Sequence, residues 1–88
     1  MMPDRSQHYR RLLAVFGANL QTMRKQRGWT QEQAAACVGL HARHYQKLEA
    51  GEVNFTARTI ARVAYAFRVS FGQLLVPGAL CEPDDREV

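Results

Sequence analysis

The stretch WTQEQAAACVGLHARHYQKLEAG, residues 29 to 51, decides which fold this chain of 88 residues can adopt. It contains two short helical segments that are separated by only Gly39 and Leu40. Thr30 can cap the first segment, and Gln33 completes the Thr-x-x-Gln pattern of a capping box. Gly39 suits the left-handed conformation in which many helices end. The sequence therefore predicts two helices joined by a tight turn.

The second segment carries its polar residues on one side. It runs from Ala42 to Ala50, and Tyr45 and Leu48 mark its inward face. At 100° per residue, the polar side chains between these anchors point away from the core. The outward face comprises Ala42, Arg43, His44, Gln46 and Lys47. Its donors suit phosphates and purine edges, and a helix fits the major groove of B-form DNA. A solvated surface helix remains the alternative.

The remaining residues also follow a helical period. A first helix is predicted from about Ser6 to Gln26 because apolar residues recur at spacings of three and four. Thr56 can cap a fourth helix, and Ser70 with Gln73 forms a second capping box before a short fifth helix. The residues on this apolar stripe of the first helix are Tyr9, Leu12, Leu13, Phe16, Leu20 and Met23. Since no strand pattern occurs, we predict an all-α bundle of five helices.

Length and composition exclude several classes of protein. A chain of 88 residues, 47% of them hydrophobic, suffices for one small domain. No run of 18 apolar residues could span a bilayer, so we expect no membrane contact. The N-terminal stretch lacks the features of a secretory signal, and Cys37 and Cys81 form no disulfide framework. We therefore expect a cytoplasmic protein.

Charge is unevenly distributed along the chain. The last eight residues hold four of the eight acids and one of the twelve Lys and Arg residues. Residues 1–80 thus carry eleven cations against four acids, a net charge of +7. A basic folded part with an acidic tip favours a polyanionic partner.

Residues Phe16 to Leu75 resemble the DNA-binding domain of lambda-repressor-like regulators, the xenobiotic-response-element type of helix-turn-helix protein. The resemblance rests on LQTMRKQRGWTQEQAA (20–35), VGL (38–40), QKLEAG (46–51) and AYAFRVSFGQLL (64–75). It implies that helices 2 and 3 form the helix-turn-helix. We divide the chain into an N-terminal extension of helix 1 (1–15), the DNA-binding domain (16–76) and an acidic tail (77–88).

The resemblance also implies residue roles. Gln31 matches a phosphate-contacting glutamine, Asn54 lies where relatives often touch the DNA backbone, and Arg24 and Glu49 match a partly buried salt bridge. Positions that contact bases and phosphates in the family are occupied by Ala42, Arg43, His44, Gln46 and Lys47. The chain departs from the family at His41, which replaces the usual Ser or Thr cap, and at Phe55, where proline is common.

Self-association is predicted from the C-terminal apolar residues. A single helix-turn-helix reads only a few base pairs, so two-fold symmetry on a palindromic operator is expected. The proposed contact residues are Phe71, Leu74, Leu75, Val76 and Leu80. The alternative, in which Phe71 and Leu75 only complete the core, stays open.

The function predicted from these features is sequence-specific regulation of transcription by a homodimer on double-stranded DNA. One alternative is an antitoxin that binds a toxin and represses its own operon; another is a protein-interaction module without DNA binding. The Cys37, His41 and His44 spacing lacks a fourth ligand for zinc. We expect neither a metal, a cofactor nor an enzymatic activity, since no catalytic constellation is evident.

Overall fold

The computed structural model describes residues 5–78, and this part of the chain contains helices and no strands. The helices are α1 (Arg5–Gln26), α2 (Gln31–Val38), α3 (Ala42–Glu49), α4 (Ala57–Phe67) and α5 (Phe71–Leu75). The predicted all-α bundle of five helices is confirmed. α1 packs on α3 and α5, α2 packs on α3 and α4, and α4 contacts α5. Leu80, Cys81 and the acidic residues that follow lie outside the described range, as do residues 1–4.

The helix ends follow the predicted capping signals. The Thr30 hydroxyl accepts from the Gln33 N–H at 3.0 Å, and the Gln33 side chain accepts from the Thr30 N–H at 2.8 Å. Gly39 ends α2 at φ 85°, a left-handed conformation that costs glycine little. Ser70 and Gln73 form the second predicted capping box. These local interactions fix the start of α2, the turn to α3 and the start of α5.

The core lies between α1 and the helix-turn-helix. Its largest fully buried side chains are Phe16, Leu20, Met23, Tyr45, Leu48, Val63, Phe67 and Leu74. Phe55, which stands where proline is common in the family, packs its ring against Phe16 with 4.2 Å between the centroids. The departure therefore adds an aromatic contact to the core.

The apolar stripe of α1 is buried only in part. Leu13 and the residues that follow it on the stripe are buried, whereas Tyr9 is 45% and Leu12 39% exposed. These two side chains are exposed because α1 begins before the helices that cover its later turns. Its first turns present apolar side chains to solvent.

α5 also departs from the prediction. Leu74 is fully buried, so the prediction that it contacts a second copy was wrong: its side chain already completes the core. Leu75 is half-buried, and Phe71 and Val76 are 60% and 51% exposed. The Asn19 amide on α1 donates to three carbonyls at the end of α5, the shortest at 2.7 Å to Leu74. α5 is thereby attached to α1 while its outer side stays open.

Arg27 joins α1 to α4. It follows the last residue of α1 and donates to the Met23 carbonyl at 3.1 Å. It also donates to the Phe67 carbonyl at the end of α4, at 2.6 Å, and its guanidinium lies 4.9 Å from the Phe67 ring centroid. One arginine therefore binds carbonyls at the ends of two helices.

α1 and α3 approach closely at Gly17. A Cβ atom on Gly17 would lie 2.5 Å from the Glu49 carbonyl oxygen and 2.6 Å from that of Leu48. Since backbone oxygens cannot move aside as a flexible side chain would, α3 can sit this close to α1 only if residue 17 lacks a side chain.

We predict that Gly17→Ala and Gly72→Ala change stability in opposite directions. Alanine normally stabilises a helix interior by about 0.5–1 kcal/mol relative to glycine, and a Cβ on Gly72 meets nothing within 4 Å. At Gly17, overpacking should instead cost about 1–3 kcal/mol. Urea unfolding followed by circular dichroism measures both; a stabilised Gly17→Ala would show that the close approach is absent.

Candidate nucleic-acid interface

The polar residues of α3 face away from the core. Arg43, His44, Gln46 and Lys47 are exposed, and Ala42 is half-buried against the edge of the core. On the opposite side of the helix, Tyr45 and Leu48 are fully buried. The structure thus brings the outward residues predicted from the sequence onto one accessible side of α3.

The position of α3 is fixed at its C-terminal end by an ion pair. Arg24 Nε on α1 donates to Glu49 Oε2 at 2.6 Å, and Nη2 donates to Oε1 at 3.2 Å. Arg24 Nη1 also donates to the Trp29 carbonyl at 3.0 Å. This two-pronged geometry restricts both side chains more tightly than a single contact. The pair implied by the family resemblance is present.

Gln31 joins the same carboxylate. Its Nε2 donates to Glu49 Oε1 at 3.1 Å, which links the first residue of α2 to the last residue of α3. The carboxylate of Glu49 is therefore shared by side chains from α1 and α2. The Gln31 amide retains a second N–H, and a helix N-terminus also offers backbone N–H groups to an anion.

The ion pair alters the acidity of its members. Burial opposes ionisation of Glu49, but the hydrogen bonds from Arg24 and Gln31 outweigh that cost and lower its pKa. The hydrogen bond to Glu49 raises the pKa of Arg24, and burial raises the pKa of Tyr45. The Tyr45 hydroxyl lies beside this pair, yet within residues 5–78 it meets no partner in hydrogen-bond geometry. Glu49 therefore remains ionised beside Arg24.

The turn between α2 and α3 has its own bracing residue, which sequence reasoning missed. Arg62 Nη1 on α4 donates to the Gly39 carbonyl at 3.1 Å. A contact between residues 23 positions apart leaves no local pattern in the sequence. α3 is thus held at one end by α1 and at the other, through the turn, by α4.

An acidic side chain borders the exposed face of α3. Glu52 lines a shallow groove together with Ala42, Arg43, Gln46, Lys47 and Ala50. Its backbone N–H donates to the Lys47 carbonyl at 3.0 Å, which keeps residue 52 beside the end of α3. Asn54 follows it in the loop before α4 and is exposed. The acid limits the positive surface at the C-terminal end of the helix.

The three residues whose spacing was considered for zinc, Cys37, His41 and His44, do not form a metal site in the described structure. Cys37 is exposed on α2, and no group of three or more His, Cys, Asp or Glu side chains in residues 5–78 is arranged to hold an ion. None of the described helices is long and apolar enough to cross a bilayer.

Comparison with known proteins identifies relatives over most of the chain. The helix-turn-helix family model HTH_3 matches residues 20–74. The uncharacterised HTH-type transcriptional regulator y4dJ of Sinorhizobium fredii is 34% identical over 63 residues, which cover 72% of this chain and 82% of the relative. The crystal structure of the hypothetical transcription factor NHTF from Neisseria has 31% identity and a TM-score of 0.72, and the match covers 88% of this chain and 84% of that one. The resemblance found in the sequence is confirmed.

The lowered pKa of Glu49 predicts a specific loss of stability in acid. A carboxylate with a depressed folded-state pKa stabilises the fold above its unfolded-state pKa of about 4.3, and this contribution disappears as pH falls through the folded-state value. Glu49→Gln should be less stable than wild type at pH 7 but lose less stability between pH 7 and pH 3.

Urea unfolding at both pH values measures the difference. Glu52→Gln is the matched control, because Glu52 is exposed and makes no side-chain ion pair in the described structure. Parallel pH dependence in wild type and Glu49→Gln would contradict the assignment.

Proposed function

Because this chain belongs to the lambda-repressor-like helix-turn-helix family of DNA-binding regulators, we propose that it binds a palindromic operator as a homodimer and represses transcription. The observation that carries the proposal is the exposed cationic face of α3, held in place by buried Tyr45 and Leu48 and by the Arg24–Glu49 pair. A helix reads base edges only when its angle to the duplex is fixed. The proposed location is the cytoplasm.

The exposed side chains divide into two groups by chemistry. Arg43 and Gln46 can make paired hydrogen bonds to purine edges, and Ala42 can contact a thymine methyl group. Gln31, Lys47 and Asn54 are assigned to phosphates, whose contacts set the position of the protein without reading sequence. His44 flanks both groups. α3 would therefore enter the major groove, with α2 and the loop after α3 on the backbone.

Gln31 is the best-supported phosphate contact. Its amide is held by Glu49, so less side-chain entropy is lost when a phosphate binds. An unpaired carboxylate at this place would repel the phosphate, but Arg24 neutralises it at 2.6 Å. The ion pair thus allows an acid to orient a DNA-binding residue.

The proposed dimer contact uses the open side of α5. Phe71 and Val76 are exposed and Leu75 is half-buried, which leaves an apolar surface after Leu74 is assigned to the core. Leu80 belongs to the proposed interface but lies outside the described residues. The N-terminal extension, the DNA-binding domain and the acidic tail remain the proposed division of the chain.

Two alternative functions make different predictions. An antitoxin would bind DNA in the same way and in addition form a complex with a toxin protein. A protein-interaction module would use the exposed side of α3 without any preference for a DNA sequence. Selection of bound duplexes from a random pool distinguishes the protein-interaction module from the other two functions, because only a DNA regulator or an antitoxin should enrich a symmetric motif.

Arg43→Ala and Lys47→Ala should weaken DNA binding in different ways. Loss of a base contact by Arg43→Ala should cost about 1–3 kcal/mol and relax the preference at one position of each half-site. Loss of a phosphate contact by Lys47→Ala should weaken binding to all sequences and reduce the slope of log K against log salt by about 1.

Fluorescence anisotropy with the selected duplex and a scrambled duplex, at several salt concentrations, measures both effects. Lys25→Ala on α1 is a control, since Lys25 is exposed and assigned no DNA contact. If all three variants bind like wild type, α3 does not contact the duplex.

Phe71→Ser should weaken the dimer. Removing the ring deletes much of the exposed apolar surface of α5, and we expect the dimer dissociation constant to rise by about tenfold or more for the loss of one large apolar contact. Tyr65→Ser is the matched control, because Tyr65 is 87% exposed on α4. Sedimentation equilibrium measures both variants; a monomeric wild type at micromolar concentration would reject the dimer.

A further inference from the structure

A second polar surface lies at the end of α3 opposite the Arg24–Glu49 pair. It is a surface pocket of about 420 Å³ lined by Gly39, Leu40, His41, His44 and Arg62. Two imidazoles and one guanidinium therefore meet beside the turn between α2 and α3. The DNA-contact assignments above use only His44 of these three side chains.

Arg62 is a permanent and anchored positive charge in this pocket. One of its N–H groups donates to the Gly39 carbonyl at 3.1 Å, which fixes the guanidinium at the pocket wall. A guanidinium has five N–H donors in all. Those not used by Gly39 can donate to an oxyanion without further ordering of the side chain.

The start of α3 adds further donors. His41 occupies the N-cap position in an extended conformation, but its side chain makes no capping hydrogen bond. The first N–H groups of a helix have no partner within the helix, and they form the positive end of its dipole. In α3 these groups adjoin a pocket that already holds basic side chains.

Acidic side chains are absent from the surroundings of this pocket in residues 5–78. The acids in this range are Glu32, Glu49 and Glu52. Glu32 lies in the first turn of α2 and the other two lie at or beyond the end of α3, whereas the pocket adjoins the opposite end of each helix. An eight-residue helix is about 12 Å long. Apart from Arg62 and Glu49, the Lys, Arg, Asp and Glu residues of α3 and α4 are cations: Arg43, Lys47 and Arg58.

We propose that His41, His44 and Arg62 form a binding site for a phosphate group, in which the Arg62 guanidinium and the two imidazoles donate hydrogen bonds to the phosphate oxygens. A metal cation is a poor alternative ligand, because Arg62 cannot lose its charge and only two imidazoles are present. The phosphate is either a backbone phosphate of DNA or a free phosphate ion. Only the first source rests on the proposed function.

Titration with inorganic phosphate in the absence of DNA tests the site directly. Nuclear magnetic resonance of the imidazole C–H groups reports His41, His44 and His8 in one spectrum. At one fixed pH, we expect saturable shifts at His41 and His44 that follow a single binding curve. His8, on α1, lines a separate pocket with Arg10 and Arg11, so it reports phosphate binding elsewhere on the surface and its shifts should follow a different curve.

Two variants distinguish phosphate binding at this site from general effects of salt on the chemical shifts. Arg62→Gln removes the charge but keeps an amide that can donate to the Gly39 carbonyl; Arg58→Gln, one turn earlier on α4, is its control. His41→Asn removes an imidazole and supplies a preferred N-cap, so the fold should be retained. We expect weaker phosphate binding in Arg62→Gln and His41→Asn, and wild-type binding in Arg58→Gln, with all variants measured at one pH.

Binding measurements with the selected DNA duplex identify the source of the phosphate. If a DNA phosphate occupies the pocket, Arg62→Gln and His41→Asn should bind the duplex more weakly than wild type does. If free phosphate is the ligand, both variants should bind the duplex like wild type although they bind inorganic phosphate more weakly. If the protein does not bind DNA, the proposed function is rejected, but the titration with inorganic phosphate still tests the phosphate site. The proposed phosphate site would be contradicted if the shifts at His41 and His44 did not saturate, or if His8 showed the same shifts. It would also be contradicted if Arg62→Gln bound phosphate like wild type.

Discussion

The ion pair between Arg24 and Glu49 is the constraint on which the proposed DNA-facing surface depends. Arg24 comes from α1, Glu49 ends α3, and Gln31 at the start of α2 donates to the same carboxylate. Because Tyr45 and Leu48 bury the other side of α3, the helix cannot rotate without exposing apolar area or separating charges. One carboxylate thereby ties the angle of α3 to the position of a candidate phosphate contact.

The two ends of α3 differ in electrostatic character, and the difference follows from the packing. At the C-terminal end, the charge of Glu49 is neutralised by Arg24 and the close contact with Gly17 leaves no free space. At the N-terminal end, the His41 side chain makes no capping hydrogen bond, and Arg62 and two imidazoles line a pocket beside the turn. Anions should therefore meet the beginning of α3 and the beginning of α2.

Sequence reasoning was most successful where structure is set by neighbours in the chain. The capping box at Thr30, the left-handed Gly39 and the outward face of α3 depend on residues within a few positions, so their patterns are visible in the sequence. The periodicity of α1 shows which side of the helix is apolar, but it does not show whether another helix covers Tyr9 and Leu12. The same limitation placed Leu74 in a dimer contact when its side chain fills the core. Arg62 was missed because its partner Gly39 is 23 residues away.

We propose that α3 is held so that its cationic side enters a major groove. A crystal structure of the protein bound to the duplex obtained by selection from a random pool would test this arrangement. We expect α3 in the major groove, with the Arg43 guanidinium within about 3 Å of a base edge and the Gln31 amide within about 3 Å of a phosphate oxygen. A complex in which α3 faces solvent and another surface contacts the DNA would contradict it.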